Sequence, residues 1–150
     1  MINSLLVAVD GSNHSLKAVE YAADIAAACK AELTIMTVIR PHQAPKLSAE
    51  LRAYAQLEHI GQADLGAIRL LSDNLLTHCK KVATGKGVTK VTTNVETGPI
   101  ARTIVSYAKR KKVDIIVIGS RGLGNLEATL RGGVSHRVEL LAECSVLTVK

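Results

Sequence analysis

The sequence predicts an α/β fold built on a doubly wound, five-stranded parallel sheet. Short apolar runs of Val, Ile and Leu alternate with amphipathic stretches of helical spacing, and most of the runs are continuous, the mark of strands buried on both faces. The length of 150 residues (1–150) suits one domain with a sizeable core and is short for two. Right-handed crossovers then favour the strand order 3-2-1-4-5, with ligands bound at the carboxyl ends of strands one and four, where the order reverses.

The first strand is Leu5 to Val9, stopped by Asp10-Gly11-Ser12. Ser12 or Asn13 can cap a helix over 14–29, where Leu16, Val19, Ala23 and Ala26 form one face and Lys17, Glu20 and Asp24 the other. Leu33 to Ile39 is a second, β-branched strand, closed by Arg40-Pro41 and a loop through Pro45. From Ser48 to about Ala83 helical spacing returns: Leu51 and Ala55, then the stripe Leu65, Ile68, Ser72, Leu75, Cys79 and Val82. Gly61 and Gly66 weaken this helix or divide it.

Thr84-Gly85-Lys86-Gly87 reads as a turn, and Val88 to Val95 as a half-exposed strand near a sheet edge, because Val alternates there with Thr and Lys. Gly98-Pro99 opens the next helix with Pro at its first position and Ile100, Ile104 and Ala108 inside. Val113 to Ile118 is the fourth strand. Val134, Val138 and Leu141 mark a last helix before a final edge strand, Ser145 to Val149.

Composition removes several function classes. The chain has no Phe and no Trp, and three tyrosines, Tyr21, Tyr54 and Tyr107, so aromatic platforms for bases, sugars or methyl-lysine cannot be built. A net charge of +6 admits an anionic partner without choosing one. The densest basic run, Lys109 to Lys112, falls at a helix end and is read as cations complementing exposed carbonyls rather than as a nucleic-acid patch. Cys29, Cys79 and Cys144 form no CxxC pair and suggest buried, inert thiols rather than disulfides. No leader or membrane span is evident, so cytoplasmic residence is the default expectation.

Two Gly- and Ser-rich segments fall at the switch point: Ala8-Val9-Asp10-Gly11-Ser12, and the stretch from Gly119-Ser120-Arg121-Gly122-Leu123-Gly124 to Gly132-Gly133-Val134-Ser135. Glycine loops and helix amino termini present unpaired N–H groups, which suit a phosphate. Neither GxxxxGK[ST] nor a complete GxGxxG occurs; the spacing is Gly119, two residues, Gly122, nine residues, Gly132. Catalytic candidates are thin. Glu127, His136 and His14 lie near the loops without a base–partner spacing, and Ser12, Ser120 and Ser135 lack a nucleophile-elbow context.

These motifs, with the Thr-Val-Ile end of strand two, Val-Asp-Ile-Ile-Val-Ile-Gly-Ser-Arg-Gly-Leu-Gly, Gly-Gly-Val-Ser-His-Arg-Val and the closing Cys-Ser-Val-Leu-Thr-Val, resemble those of the universal stress proteins, the UspA superfamily, over essentially the whole chain. The resemblance implies a Rossmann-like, adenine nucleotide alpha hydrolase-like fold. It also implies a regulatory protein of the stress response that binds ATP, or AMP or ADP, with Mg or Mn as an accompanying metal, and turns it over slowly or not at all.

By the same resemblance Ala8 and Asp10 meet the adenosine moiety, and Val38 offers its backbone to adenine. Gly119, Ser120, Arg121, Gly122 and Gly124 line ribose and phosphates, and Gly132, Gly133, Val134 and Ser135 close on the phosphate tail. Strand 145–149 makes a homodimer. The ATP-binding branch carries Ser or Thr after its third glycine, where this chain has Gly133. A hydroxyl bond to a charged phosphate contributes about 1.5–3 kcal/mol, so its loss weakens binding tenfold or more. The alternative is the UspA-like branch, a dimeric interaction protein that binds no nucleotide. A nucleic-acid partner rests on charge alone and is not expected.

Overall fold

A computed structural model describes residues 1–40, 65–121 and 133–150. Five parallel strands, β1 (Ser4–Ala8), β2 (Glu32–Ile39), β3 (Val91–Thr97), β4 (Ile115–Gly119) and β5 (Ser145–Val149), form one sheet of order β3-β2-β1-β4-β5, as expected. The described helices are α1 (Asn13–Cys29), α2 (Leu65–Gly85), α3 (Ile100–Lys111) and α4 (Val134–Leu141).

Continuous apolar runs are required because the sheet is covered on both sides. Successive side chains of a strand point to opposite faces. Leu5, Val7, Val9, Leu33, Ile35 and Val117 therefore meet one core with Ala18, Val19, Ala22 and Ala26 of α1 and Leu76 and Cys79 of α2. Leu6, Ala8, Met36, Ile116 and Ile118 meet another with Ile104, Tyr107 and Ala108 of α3 and Val138 of α4. Fully burying one such Leu, Ile or Val side chain contributes about 1.5–3 kcal/mol. Ala-rich α1 lets that helix lie close to the sheet.

Helix ends account for most of the shifted boundaries. Ser12 is the cap of α1, its hydroxyl accepting from Ser15 N–H at 3.3 Å. Two lysines in the left-handed conformation, Lys30 (φ 55) and Lys112 (φ 53), close α1 and α3. In each case the following residue donates back five positions, Ala31 N–H to Ala26 O and Val113 N–H to Ala108 O, both at 2.9 Å. Val113 thus belongs to the end of α3, and β4 starts at Ile115 rather than at Val113.

Val88 likewise donates to Ala83 O at 3.3 Å, so β3 begins at Val91, not Val88, and runs on to Thr97. Its half-exposed edge position is as expected. Pro99 is the extended cap (ψ 119) of α3 rather than its first helical residue. Helix α2 is described from Leu65, with Gly66 in its first turn; positions 48–64, with Leu51, Ala55 and Gly61, lie outside the described residues. In α4 Val138 is buried, but Leu141, three residues on at the end of the helix, faces solvent at 48% exposure.

Asp114 ties the start of the central strands together. Its carboxylate accepts from Asn3 N–H (2.7 Å) and Ser4 N–H (3.0 Å), and those bonds hold it below its ordinary carboxylate value. The basic run at the end of α3 is engaged locally: Lys109 pairs with Glu143, and Arg110 pairs with Glu96 at 3.2 Å and lies 5.3 Å from the Tyr107 ring centre. No described helix is long and apolar enough to cross a membrane.

Candidate functional site

The chain leaves β1 toward β2 on one side and reaches β4 on the other, so a crevice opens at the carboxyl ends of these strands. Pairing of β1 with β2 ends at Ala8↔Met36, whereas pairing of β2 with β3 continues through Val38↔Glu96 to Ile39↔Thr97. Val38 therefore stands two residues beyond the paired end of β1, on the wall of that crevice.

After β1 the chain turns sharply. Gly11 adopts φ +85, which a side chain would strain, and Asp10 accepts from Ser12 N–H at 2.9 Å. The Asp10 N–H meets Ser15 Oγ at 3.3 Å, and Ser15 Oγ itself donates to Ser12 O at 2.9 Å. This network fixes the first turn of α1 and leaves Asp10 exposed at its tip.

That turn is seated against the end of β4. A Cβ on Gly119 would lie 2.8 Å from the His14 carbonyl carbon, 2.9 Å from His14 Cβ and 2.9 Å from Ser15 N, so only glycine allows the approach. Side chains then cross the seam. Ser12 Oγ donates to Arg121 O at 3.3 Å, and His14 Nδ1 lies 2.9 Å from Ser120 Oγ. From the other face of the sheet, Ser135 Oγ donates to Ser120 O at 3.4 Å. Gly133 caps α4 without a side-chain bond to its first-turn amides, the groups that a helix start offers to water or an anion.

Ala8, Asp10, Gly119, Ser120, Arg121, Gly133, Val134 and Ser135 are thus gathered at one end of the sheet, with Val38 beside them. Gly122, Gly124 and Gly132 lie outside the described residues, as does Glu127. Ser120 N–H is engaged by Val149 O at 2.7 Å, its carbonyl by Ser135 and its hydroxyl by His14. His14 is the participant that sequence reasoning left among isolated histidines. Its signal was its place in the first helical turn after the switch-point loop, but its partner is 106 residues away.

The chemistry on offer is anion binding by amides and hydroxyls. Among the described residues no cluster of three His, Cys, Asp or Glu side chains could hold a metal. Two clefts lie elsewhere: one of about 270 Å³ beside Glu96, Arg102 and Arg110, and one of about 300 Å³ beside Lys109, Val113 and Cys144. Neither reaches the crevice. The thiols differ from the expectation of three buried groups. Cys79 is fully buried, which pushes it up to about 11, and partial burial raises Cys144, but Cys29 is exposed at the open end of α1.

A doubly wound parallel sheet with glycine and serine segments meeting at its switch point defines a small α/β protein of the kind that binds ligands across that crevice. Comparison with known proteins is consistent along the entire chain. The model of the Universal stress protein family matches residues 1–150, and this chain belongs to that family. It is similar to universal stress protein YxiE of Bacillus subtilis strain 168, with 36% identity over 150 residues covering 100% of both chains. Among solved structures, the universal stress protein UspA from Lactobacillus plantarum shares the fold, with TM-score 0.79, 22% identity, and coverage of 99% of this chain and 97% of that one. A universal stress protein solved in complex with cAMP has TM-score 0.70 and 29% identity, again covering 99% and 97%.

Proposed function

We propose that this chain is an adenine-nucleotide-binding regulatory protein of the stress response, with ATP as its ligand and hydrolysis slow or absent. The observation that carries the reading is the convergence of the β1–α1 turn, the residues after β4 and the start of α4 on one crevice, where Gly133 makes no side-chain cap on the first turn of α4. In this reading the amides of Val134 and Ser135 receive the phosphates, assisted by Gly133, while the Ser135 hydroxyl holds the Ser120 carbonyl in place. Asp10 takes the ribose side, and the Val38 backbone meets the adenine edge. Gly122, Gly124 and Gly132 belong to the same proposed site by their spacing. The relative bound to cAMP supports adenine as the base.

Turnover would need a group that orients water toward the terminal phosphate. The described side chains around the crevice supply serine hydroxyls, the Arg121 guanidinium and the Asp10 carboxylate, which accepts from Ser12 N–H within its own turn, and His14 is held by Ser120. We therefore read the protein as a sensor that responds to bound nucleotide. It acts as a homodimer through the edge of β5, next to which Leu140 and Leu141 are exposed.

Mass spectrometry of the denatured, freshly purified protein tests the reading, together with calorimetric titration by ATP. Retained nucleotide, or binding at micromolar to millimolar ATP, is expected. Absence of both would favour the nucleotide-free dimeric interaction protein, which the missing hydroxyl at Gly133 permits.

A further inference from the structure

Every polar group of Ser120 has a defined partner. Its N–H donates to Val149 O (2.7 Å), its carbonyl accepts from Ser135 Oγ (3.4 Å), and its hydroxyl meets His14 Nδ1 (2.9 Å). The two backbone bonds have fixed direction. The third does not, because a hydroxyl and an imidazole nitrogen can each be donor or acceptor. The His14 backbone and Cβ are packed on Gly119 at distances that exclude a side chain there, which fixes where the imidazole is rooted.

The direction of that bond decides what Ser120 presents to the crevice. With a neutral ring carrying its proton on Nε2, Nδ1 accepts, and the Ser120 hydroxyl hydrogen points at the ring. With a protonated ring, Nδ1–H must donate to Oγ, and the hydroxyl hydrogen turns away, free to donate to a phosphate oxygen. Imidazole is the side chain whose charge ordinarily changes between about pH 5 and 8.

We propose that His14 is a positioning residue that sets the polarity of the Ser120 hydroxyl, so that affinity for a phosphate-bearing ligand at this crevice rises as His14 takes up a proton. The inference rests on the nucleotide-binding reading above for its ligand, and on the His14–Ser120 contact for its mechanism. The surrounding elements also carry charged and titratable groups, among them Asp10 in the turn, Lys17 and Glu20 on α1, Asp73 and His78 on α2, Arg121 after β4, His136, Arg137 and Glu139 on α4 and Lys150 after β5. All of them remain when His14 alone is exchanged.

The experiment measures ATP dissociation constants at pH 8 and pH 6 for the wild type, His14→Gln and Ser120→Ala. ATP changes its own protonation over this range, but equally for the three proteins. The wild type should gain about tenfold over either variant on going from pH 8 to pH 6, the value of one donor bond to a charged oxygen. Equal pH dependence in the wild type and His14→Gln would overturn the inference while leaving nucleotide binding intact. If no protein binds ATP at either pH, the functional reading fails, and a ligand-free measurement still decides the contact. Nitrogen-15 spectra of the imidazole at pH 8 should show the His14 Nδ1 accepting a hydrogen bond that Ser120→Ala removes. A proton on Nδ1 at pH 8, or an Nδ1 signal that Ser120→Ala leaves unchanged, would refute the mechanism.

Discussion

Gly119→Ala places one methyl group where the structure leaves no room for it. The added carbon would sit 2.8 Å from a backbone carbon of His14, 2.9 Å from His14 Cβ and 2.9 Å from Ser15 N. Relief to ordinary contact requires the first turn of α1 to retreat from β4 by roughly half an ångström or more, since backbone atoms cannot rotate aside. Overpacking of this kind costs about 1–3 kcal/mol, and two rigid partners argue for the upper end, about 3 kcal/mol. The smaller entropy of the unfolded Ala chain returns about 0.4–1 kcal/mol. The net loss of about 2 kcal/mol lowers the melting temperature of a 150-residue domain by about 4–8 °C. Gly85→Ala is the control. A Cβ there meets nothing within 4 Å, and the position is the last of α2, so the same exchange should stabilise by about 0.5 kcal/mol. Urea unfolding of both variants checks the pair of signs. A Gly119→Ala protein as stable as wild type would show that α1 is not seated on β4 as described.

Other expectations follow from the same contacts. Gly133→Ser restores a hydroxyl at the start of α4 and should tighten ATP binding about tenfold by calorimetry, in line with about 1.5 kcal/mol for a bond to phosphate. Asp114→Ala should lower the urea midpoint at neutral pH. The carboxylate is held below its ordinary value, so its contribution is full above that value and lost as pH falls through the folded one; the gap between variant and wild type should close in acid. Cys79, raised to about 11 by burial, should be silent to a thiol reagent at pH 8 until the protein unfolds, whereas Cys29 reacts at once. Because folding retains the Cys79 proton, wild-type stability should decline between pH 9 and 11 more steeply than that of Cys79→Ala. The bond from Ser120 N–H to Val149 O places the amides of Val146 and Thr148 on the outer edge of β5, so Thr148→Pro should yield a monomer by light scattering without unfolding the sheet.

The fold was legible because burial on both faces leaves a strong trace: Leu5 to Val9 and Ile115 to Ile118 are apolar at every position, and only a doubly covered sheet needs that. Boundaries were less legible where a charged residue performs a glycine's task. Lys30 and Lys112 close helices in the left-handed region, yet in sequence they look like ordinary solvent-facing helical lysines. The gathering of Asp10, Gly119, Ser120, Gly133 and Ser135 followed from topology, which places strand ends without knowing any side chain. The His14–Ser120 bond could not follow from it, since the register of α1 against β4 depends on the close approach at Gly119. Leu141 was misplaced because a periodic stripe states which residues share a helix face, not how far the sheet beneath it extends.

The position of β1 at the centre of the sheet bears on how the chain is made. Leu5 pairs with Ile115, and Ser4 is fastened to Asp114, 110 residues downstream. At a synthesis rate of about 5–20 residues per second, one edge of this apolar strand stays unpaired for about 5–20 s after it is synthesised. During that interval the stretch Leu-Leu-Val-Ala-Val has β2 on one side at most and an open edge on the other. A protein whose most apolar strand must wait for its last third to emerge depends, during synthesis, on whatever shields that edge in the cell.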